Sequence, residues 1–508
     1  MSAFSELPIL SAVELRRRIG TKEVSPVELL DACIERIETF NPAVNAITAT
    51  CYERARAEAR RAEQQALRGE ALGALHGLPI GIKDLQETEG LLTTYGNVRF
   101  RGFVPAKDNV LVAQLRAAGA IVVGKTNVPD MGAGANTRNL VWGATGNPFD
   151  PLLNAGGSSG GSAAALALDL VPLCTGSDTG GSLRIPAALC GVVGFRPSPG
   201  LVPNDHRVLG WIPISVLGPM ARSVADTCLQ LSASVAQVPG DPLSYRSDGA
   251  RFAQPAPIDL GRLRVAYTED FGICEVDAAI RTVFRAKIAA IKHLFARCEE
   301  VTFEMGNADR VFDVIRAESF VAAFHDAYTN ERDSLGPNVR ANYEAGATMT
   351  LGDRAWAHAE QTRIFRRFQQ TLRDYDVVLS PTTPLSPFPW TQLYAERING
   401  KALSNYYHWL ALTYVVTIVT NPAIALPCGV DHKGFPFGLH VVGRFRGDAE
   451  LLGAAHALEQ AFAAIPAVQR PRPNLDKLRK PVPELKSIVT HPPLLGAAGG
   501  GAGAGPAV

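Results

Sequence analysis

The chain has 508 residues, and its 50 lysines and arginines nearly balance 49 aspartates and glutamates, so a formal charge of +1 supplies no net field for holding nucleic acid or an anionic membrane. That length accommodates two or three ordinary domains, or one large α/β domain with an ample core. Its eight cysteines (Cys33, Cys51, Cys174, Cys190, Cys228, Cys274, Cys298 and Cys428) include no C-x-x-C pair, which points to reduced, mostly buried thiols in a cytoplasmic protein rather than to a disulfide scaffold.

Residues 1–70 read as a helical segment packed on the rest. The start, MSAFSELPILSAVELRRR, lacks the basic and long apolar stretches of a secretory signal; Ser11 with Glu14 instead predicts a first helix opened by a capping box. Ser25-Pro26-Val27-Glu28 predicts a second, capped helix with Leu30, Cys33, Ile34 and Ile37 on one face. Residues 71–466 form the expected core. In its first half, short apolar runs alternate with glycine-rich turns (GLPIGIKD, GAIVVGKTN, VPLCTGSDTGGS, GVVGFRPS), as strands ending in functional loops do. A helical insertion is expected at about 275–375, followed by strands at YDVVLSPTTP, NPAIALPCGV and FPFGLHVVG and a last helix, DAELLGAAHALEQAF. Trp409 to Val430 is uncharged and long enough to span a bilayer, yet Asn421-Pro422, Pro427 and three threonines interrupt it, which predicts a buried helix followed by a buried strand. Residues 467–508 are rich in Pro and then Gly and Ala, and read as an extended or disordered tail.

Chemistry concentrates in three segments: HGLPIGIKD around Lys83, NAGGSSGGSAAALAL around Ser158, and CTGSDTGGSLRIPAALCG around Ser182. A GGSSGG string alone would suit a flexible linker, but linkers do not alternate with strands and alanine-rich helices. A strand from Val171 to Thr175 is expected to deliver the chain into Gly176–Ser182, where glycines let successive N–H groups converge beside a serine hydroxyl, the arrangement an acyl-transfer oxyanion needs. A serine nucleophile needs a base, and none of the ten histidines lies in these segments; His76, just ahead of the first, reads as a hydrogen-bonded structural residue. Lys83 is the better candidate, desolvated between Ile80 and Ile82, with Asp84 on the opposite face of an extended segment.

These segments resemble the signature of the amidase signature family, the Ser-cisSer-Lys amidohydrolases. The resemblance extends to GKTNVPDMG, GFRPSPGLVP, GPMARSVAD, DVVLSPTTP, NPAIALPCG and FPFGLHVVG, covering most of residues 10 to 465. It implies one α/β domain, a large mixed twisted β-sheet covered by α-helices on both faces. It implies further that Ser182 is the nucleophile, that Ser158 relays its proton at an unusual cis peptide, and that neutral Lys83 is the base. An oxyanion hole of the backbone amides of Thr179, Gly180, Gly181 and Ser182 is implied, with Asp178, Arg184 and Ser159 as loop supports and no metal or cofactor. The partner is then a small-molecule amide, with neither nucleic acid nor membrane, and a homodimer is compatible with it.

Three other readings compete. Gly119–Thr126 matches the phosphate-loop pattern G-x-x-x-x-G-K-T, but Ala120-Ile121-Val122-Val123 reads as a strand where a loop is required, and Pro129 prevents a helix from starting at Lys125. Within the family, the glutaminase subunit of a tRNA-dependent amidotransferase would use the same triad. A non-enzymatic scaffold fits poorly with Lys83, Ser158 and Ser182 all present.

Overall fold

Eleven strands pair into one sheet whose two faces are both apolar, which is why helices lie on both. The structure, a computed structural model, describes residues 3–494. In chain order the strands are β1 (Ile47–Thr50), β2 (Pro79–Lys83), β3 (Ile121–Thr126), β4 (Leu173–Asp178), β5 (Val193–Arg196), β6 (Val216–Ala221), β7 (Arg264–Tyr267), β8 (Arg297–Glu300), β9 (Val377–Pro381), β10 (Ala423–Val430) and β11 (Pro436–Val442). Across the sheet they run β1-β3-β2-β4-β6-β5-β10-β11-β9-β7-β8. β2 is parallel to both β3 and β4, and β7 to both β8 and β9, while the remaining neighbours are antiparallel, so the sheet is mixed.

Side chains on a strand alternate between faces, and the helices follow that alternation. Ile80, Ile82 and Val122 join a cluster with α4 (Val110–Ala117) and α7 (Val224–Ser232), whereas Ile121, Val123 and Cys174 join one with α2 (Pro26–Val44), α3 (Tyr52–Leu67) and α5 (Gly160–Ala167). α5 reads GGSAAALA and is buried throughout, and its smallness is required: a Cβ at Gly161 would stand 2.2 Å from the Asn127 backbone nitrogen. The expected capping box opens α2, with Ser25 Oγ accepting from Val27 N and Glu28 from Ser25 N. At α1 (Ala12–Gly20) only half a box forms. Ser11 accepts from Glu14 N, but the Glu14 carboxylate turns outward to Arg17 and Arg18, a stronger pairing of opposite charges.

α6 (Arg184–Cys190) follows the Ser182 loop. Beyond the sheet's centre lie α8 (Ala278–Ile291), α9 (Ala308–Asn330), α10 (Pro337–Ala347) and α11 (Leu351–Thr371). β8, inside the stretch expected as a helical insertion, adds an edge strand to the sheet. The uncharged stretch from Trp409 resolves into α12 (Ala411–Ile418) and β10, and among the described residues no helix is long and apolar enough to cross a membrane. α13 (Asp448–Phe462) is the last long helix. Residues 475–482, in the segment expected to be an extended or disordered tail, lie against α2: Leu478 joins the cluster of Leu30 and Ile34, Arg479 stands over the Phe40 ring, and Val482 N donates to Pro42 O at 3.1 Å. The Gly/Ala run from residue 495 lies outside the described residues.

Candidate active site

The parallel pairing of β2 and β4 sets the carboxyl ends of the two strands side by side, the position from which α/β sheets present their chemistry. Lys83 is the last residue of β2 and is fully buried. Its Nζ lies 2.8 Å from Ser158 Oγ, 2.8 Å from Ser159 Oγ and 2.9 Å from Ser177 Oγ. Burial pushes the amine down to about 7, against the opposing influence of the Asp178 charge.

The source of that burial differs from the sequence reading. Ile80 and Ile82 point to the other face, whereas Lys83 shares the face of Gly81, whose missing Cβ would meet Cys174 Sγ at 3.0 Å. The amine is therefore desolvated by α5 and β4 rather than by its isoleucine neighbours. Asp84 does face away from it, with its carboxylate accepting from Thr94 N at 3.1 Å.

Ser158 and Ser159 come from the turn before α5, where the Gly157–Ser158 peptide is cis and Gly156 has φ +75°. Ser182 stands on the turn after β4, half-buried, and its carbonyl accepts from Ser159 N at 3.3 Å, tying the two serine loops together. β4 begins at Leu173 and runs through Asp178, later than the expected Val171–Thr175, because its ladder with β6 extends to the pair Asp178–Val216. At Gly181 (φ +130°) a Cβ would stand 2.3 Å from Thr413 Oγ1, so only glycine fits immediately before Ser182. Of the four amides expected to converge, Gly181 N donates to Asp178 Oδ1 at 2.8 Å. Among the described residues no protein acceptor takes the N–H of Thr179, Gly180 or Ser182.

Asp178 and Arg184 are fully buried and pair through two hydrogen bonds of 2.9 and 3.0 Å, and Arg196 adds a third at 3.1 Å. Burial alone would raise the Asp178 carboxyl, but the two guanidiniums hold it well below the usual carboxylate range. Arg184 also donates to Thr413 O at 2.9 Å and, through Nη1, to His440 Nε2 at 3.1 Å. Burial, with Arg184 beside it, keeps that imidazole far below its ordinary pKa and hence neutral. Ser177, Arg196 and His440 do not stand out in the sequence. Ser177 is adjacent to a named residue, but only the register of β2 against β4 brings it to Lys83.

Ser158, Ser177, Thr179, Gly180 and Ser182 open into one cavity, whose wall includes α9, the 204–215 loop and Leu217 of β6. No aspartate or glutamate lines it among the described residues, and its cations are Arg207, which pairs with Asp241 at 3.2 Å, and Arg316. His76 lies elsewhere, with Nε2 2.9 Å from Ala62 O. The phosphate-loop match is indeed a strand: Lys125 is buried within β3 and reaches Gln86 O and Thr88 Oγ1, and no helix follows it. Among the described residues no group of three or more His, Cys, Asp or Glu is placed to hold a metal ion.

Comparison with known proteins gives a consistent picture. The family model described as Amidase matches residues 28–452. An acylamidase of Rhodococcus erythropolis is 34% identical over 456 residues, covering 89% of this chain and 95% of that protein. A glutamyl-tRNA(Gln) amidotransferase subunit of a Picosynechococcus strain is also 34% identical, over 489 residues, covering 89% and 98%. Among solved structures, a bacterial aryl acylamidase of the amidase signature family superposes with a TM-score of 0.82 at 25% identity, covering 94% of this chain and 98% of the other.

Proposed function

The chain belongs to the amidase family and hydrolyses carboxamides, and from that premise we propose that Ser182 is its nucleophile, Ser158 its proton relay and Lys83 its base. The observation that carries this reading is the buried Lys83 amine, pushed down to about 7 and lying 2.8 Å from Ser158 Oγ. A neutral amine has two N–H donors and one lone pair. With three hydroxyls around it, it donates to Ser159 and Ser177 and accepts from Ser158.

The steps then balance. Ser182 Oγ attacks the amide carbon while its proton passes to Ser158 Oγ and the Ser158 proton passes to Lys83 Nζ. The carbonyl oxygen becomes an oxyanion facing the amides of Thr179, Gly180 and Ser182, while Gly181 N holds the loop through Asp178. Collapse breaks the C–N bond, and the proton returns through Ser158 to the leaving nitrogen. Water, deprotonated by the same relay, then cleaves the acyl ester and releases the carboxylate.

The deciding experiment is mass spectrometry of the enzyme quenched during turnover of a slow amide, with hydroxylamine as a second trap. An acyl adduct on Ser182, absent from Ser182→Ala, together with hydroxamate formation is the expected result; an adduct on a cysteine would overturn the assignment. A second reading, delivery of the released ammonia to a partner protein, draws support from the amidotransferase subunits among the relatives. Glutaminase activity that rises when such partner proteins are added would favour it. The cysteine usage suits a cytoplasmic setting for either reading.

A further inference from the structure

Arg316 is 8% exposed, projects from α9, and lines the same cavity as Ser182. Its Nε donates to Asn342 Oδ1 at 3.1 Å and its Nη2 to Tyr406 Oη at 2.7 Å, while among the described residues Nη1 donates to no protein group and no carboxylate pairs with the guanidinium. The rings of Phe312, Phe320, Tyr406 and Tyr407 surround it at 4.8 to 5.9 Å. On its own helix, Asp313 pairs instead with Tyr407 Oη at 2.6 Å and His408 Nε2 at 3.0 Å, and Glu318 with Arg354 and His358.

A buried guanidinium stays charged, and cation–π contact offsets only part of its desolvation. The other cation of the cavity, Arg207, has its counter-charge in Asp241, whereas Arg316 has none and the lining provides none. Its place relative to the chemistry is fixed by Phe312, whose ring would be 3.0 Å from a Cβ on Gly180. Arg316 follows Phe312 by one helical turn, about 6 Å along the axis. Apolar side chains, Val208, Leu209, Ile212, Phe320 and Phe324 among them, share the rest of the wall with polar ones such as Gln86, Asn109 and His206.

We propose that Arg316 selects amides carrying a carboxylate, which it binds through Nη1 and Nη2 while the apolar part of the wall takes the body of the substrate. Tyr406 and Asn342 are positioning residues that aim the guanidinium. This rests on the amidase reading above and adds the substrate class to it.

The test compares near-isosteric pairs: the mono-p-nitroanilide of adipic acid against heptanoyl p-nitroanilide for a carboxylate on the acyl side, and N-acetyl-para-aminobenzoate against N-acetyl-para-toluidine for one on the amine side. The wild type should favour the acid in at least one pair by about tenfold or more in kcat/KM, the range of a single charged hydrogen-bond pair. Arg316→Gln should bring that ratio near one while keeping the neutral member within about threefold, which also shows that the variant folds. If it fails to fold, Tyr406→Phe should lower the same ratio with the neutral amide unchanged. In the Ser182→Ala background, calorimetry with the mono-p-nitroanilide of adipic acid reads the anion site without turnover. Binding that weakens about tenfold on adding Arg316→Gln supports the proposal even if hydrolysis proceeds by another route. Preference for the neutral member in both pairs, or an acid preference that survives Arg316→Gln, would overturn it.

Discussion

Two lysines stand near the carboxyl ends of neighbouring parallel strands, and both are completely buried, yet the sheet sends them to opposite faces and to opposite fates. Lys83 closes β2 on the α5 face among three serine hydroxyls. Lys125, in β3, faces the other way, with Asp84 at 4.0 Å and the Gln86 carbonyl and Thr88 hydroxyl as partners. Burial lowers both, Lys83 to about 7 and Lys125 to about 8, and it raises Asp84 to about 6. Between about 6 and about 8, Lys125 and Asp84 are therefore charged together and compensate each other. Burial depresses a lysine; what decides whether it becomes a base is whether its partners are hydroxyls that relay a proton or a carboxylate that fixes one.

The comparison breaks most visibly by removing each amine. Lys83→Ala should lower amide hydrolysis by about 10³-fold or more with the fold intact by circular dichroism, and Lys83→Arg should not restore it, because a guanidinium stays protonated. Lys125→Met should do the reverse. It strands Asp84 in the core and should cost about 3–5 kcal/mol in denaturant unfolding, while kcat of the folded enzyme stays within about tenfold. Adding Asp84→Asn should recover part of that stability. Catalytic loss in Lys125→Met without loss of stability would erase the distinction between the two lysines.

A smaller effect is the pH profile. As pH falls through about 7, Lys83 gains a proton in the folded enzyme and loses the lone pair that accepts from Ser158, so kcat/KM should drop tenfold per unit below that point and level off above it. Lys125→Met should leave that limb in place. Smallest of all, Ser177→Ala removes an acceptor that favours the charged amine, so the limb should move to lower pH by a fraction of a unit, read from the same profiles. A shift to higher pH would mean that Ser177 supports the neutral form.

Much of this pair is legible in the sequence, and what is not has a common cause. Lys83 stands out because a lysine in a glycine-opened apolar strand has few structural uses, and the strand reading of Ala120–Val123 separates Lys125 from a phosphate loop. Local patterns also give the Ser25 capping box and the division of the Trp409 stretch into helix and strand. What fails depends on register or on distant packing. The sequence reading credits Ile82 with the desolvation of Lys83, although alternation sends it to the opposite face. Arg196 reaches Asp178 only because β5 and β4 both flank β6, and the aromatic cage of Arg316 gathers residues 312, 320, 406 and 407 from two separate stretches. β8 is hidden because RCEE carries charges on both of its faces, as an edge strand with little to bury does.

The strap formed by residues 475–482 bears on how this chain is made. It covers part of α2, with Leu478, Arg479 and Val482 meeting residues Leu30 to Pro42. A ribosome adds roughly 5–20 residues per second, so α2 emerges some tens of seconds before the segment that completes its packing. During that interval the apolar stripe of Leu30, Ile34 and Ile37 lacks part of its cover, and a nascent chain stalled before Leu478 would keep exposing it. Chaperone contacts during translation should accordingly concentrate on the first two helices and lapse only when synthesis has passed the strap.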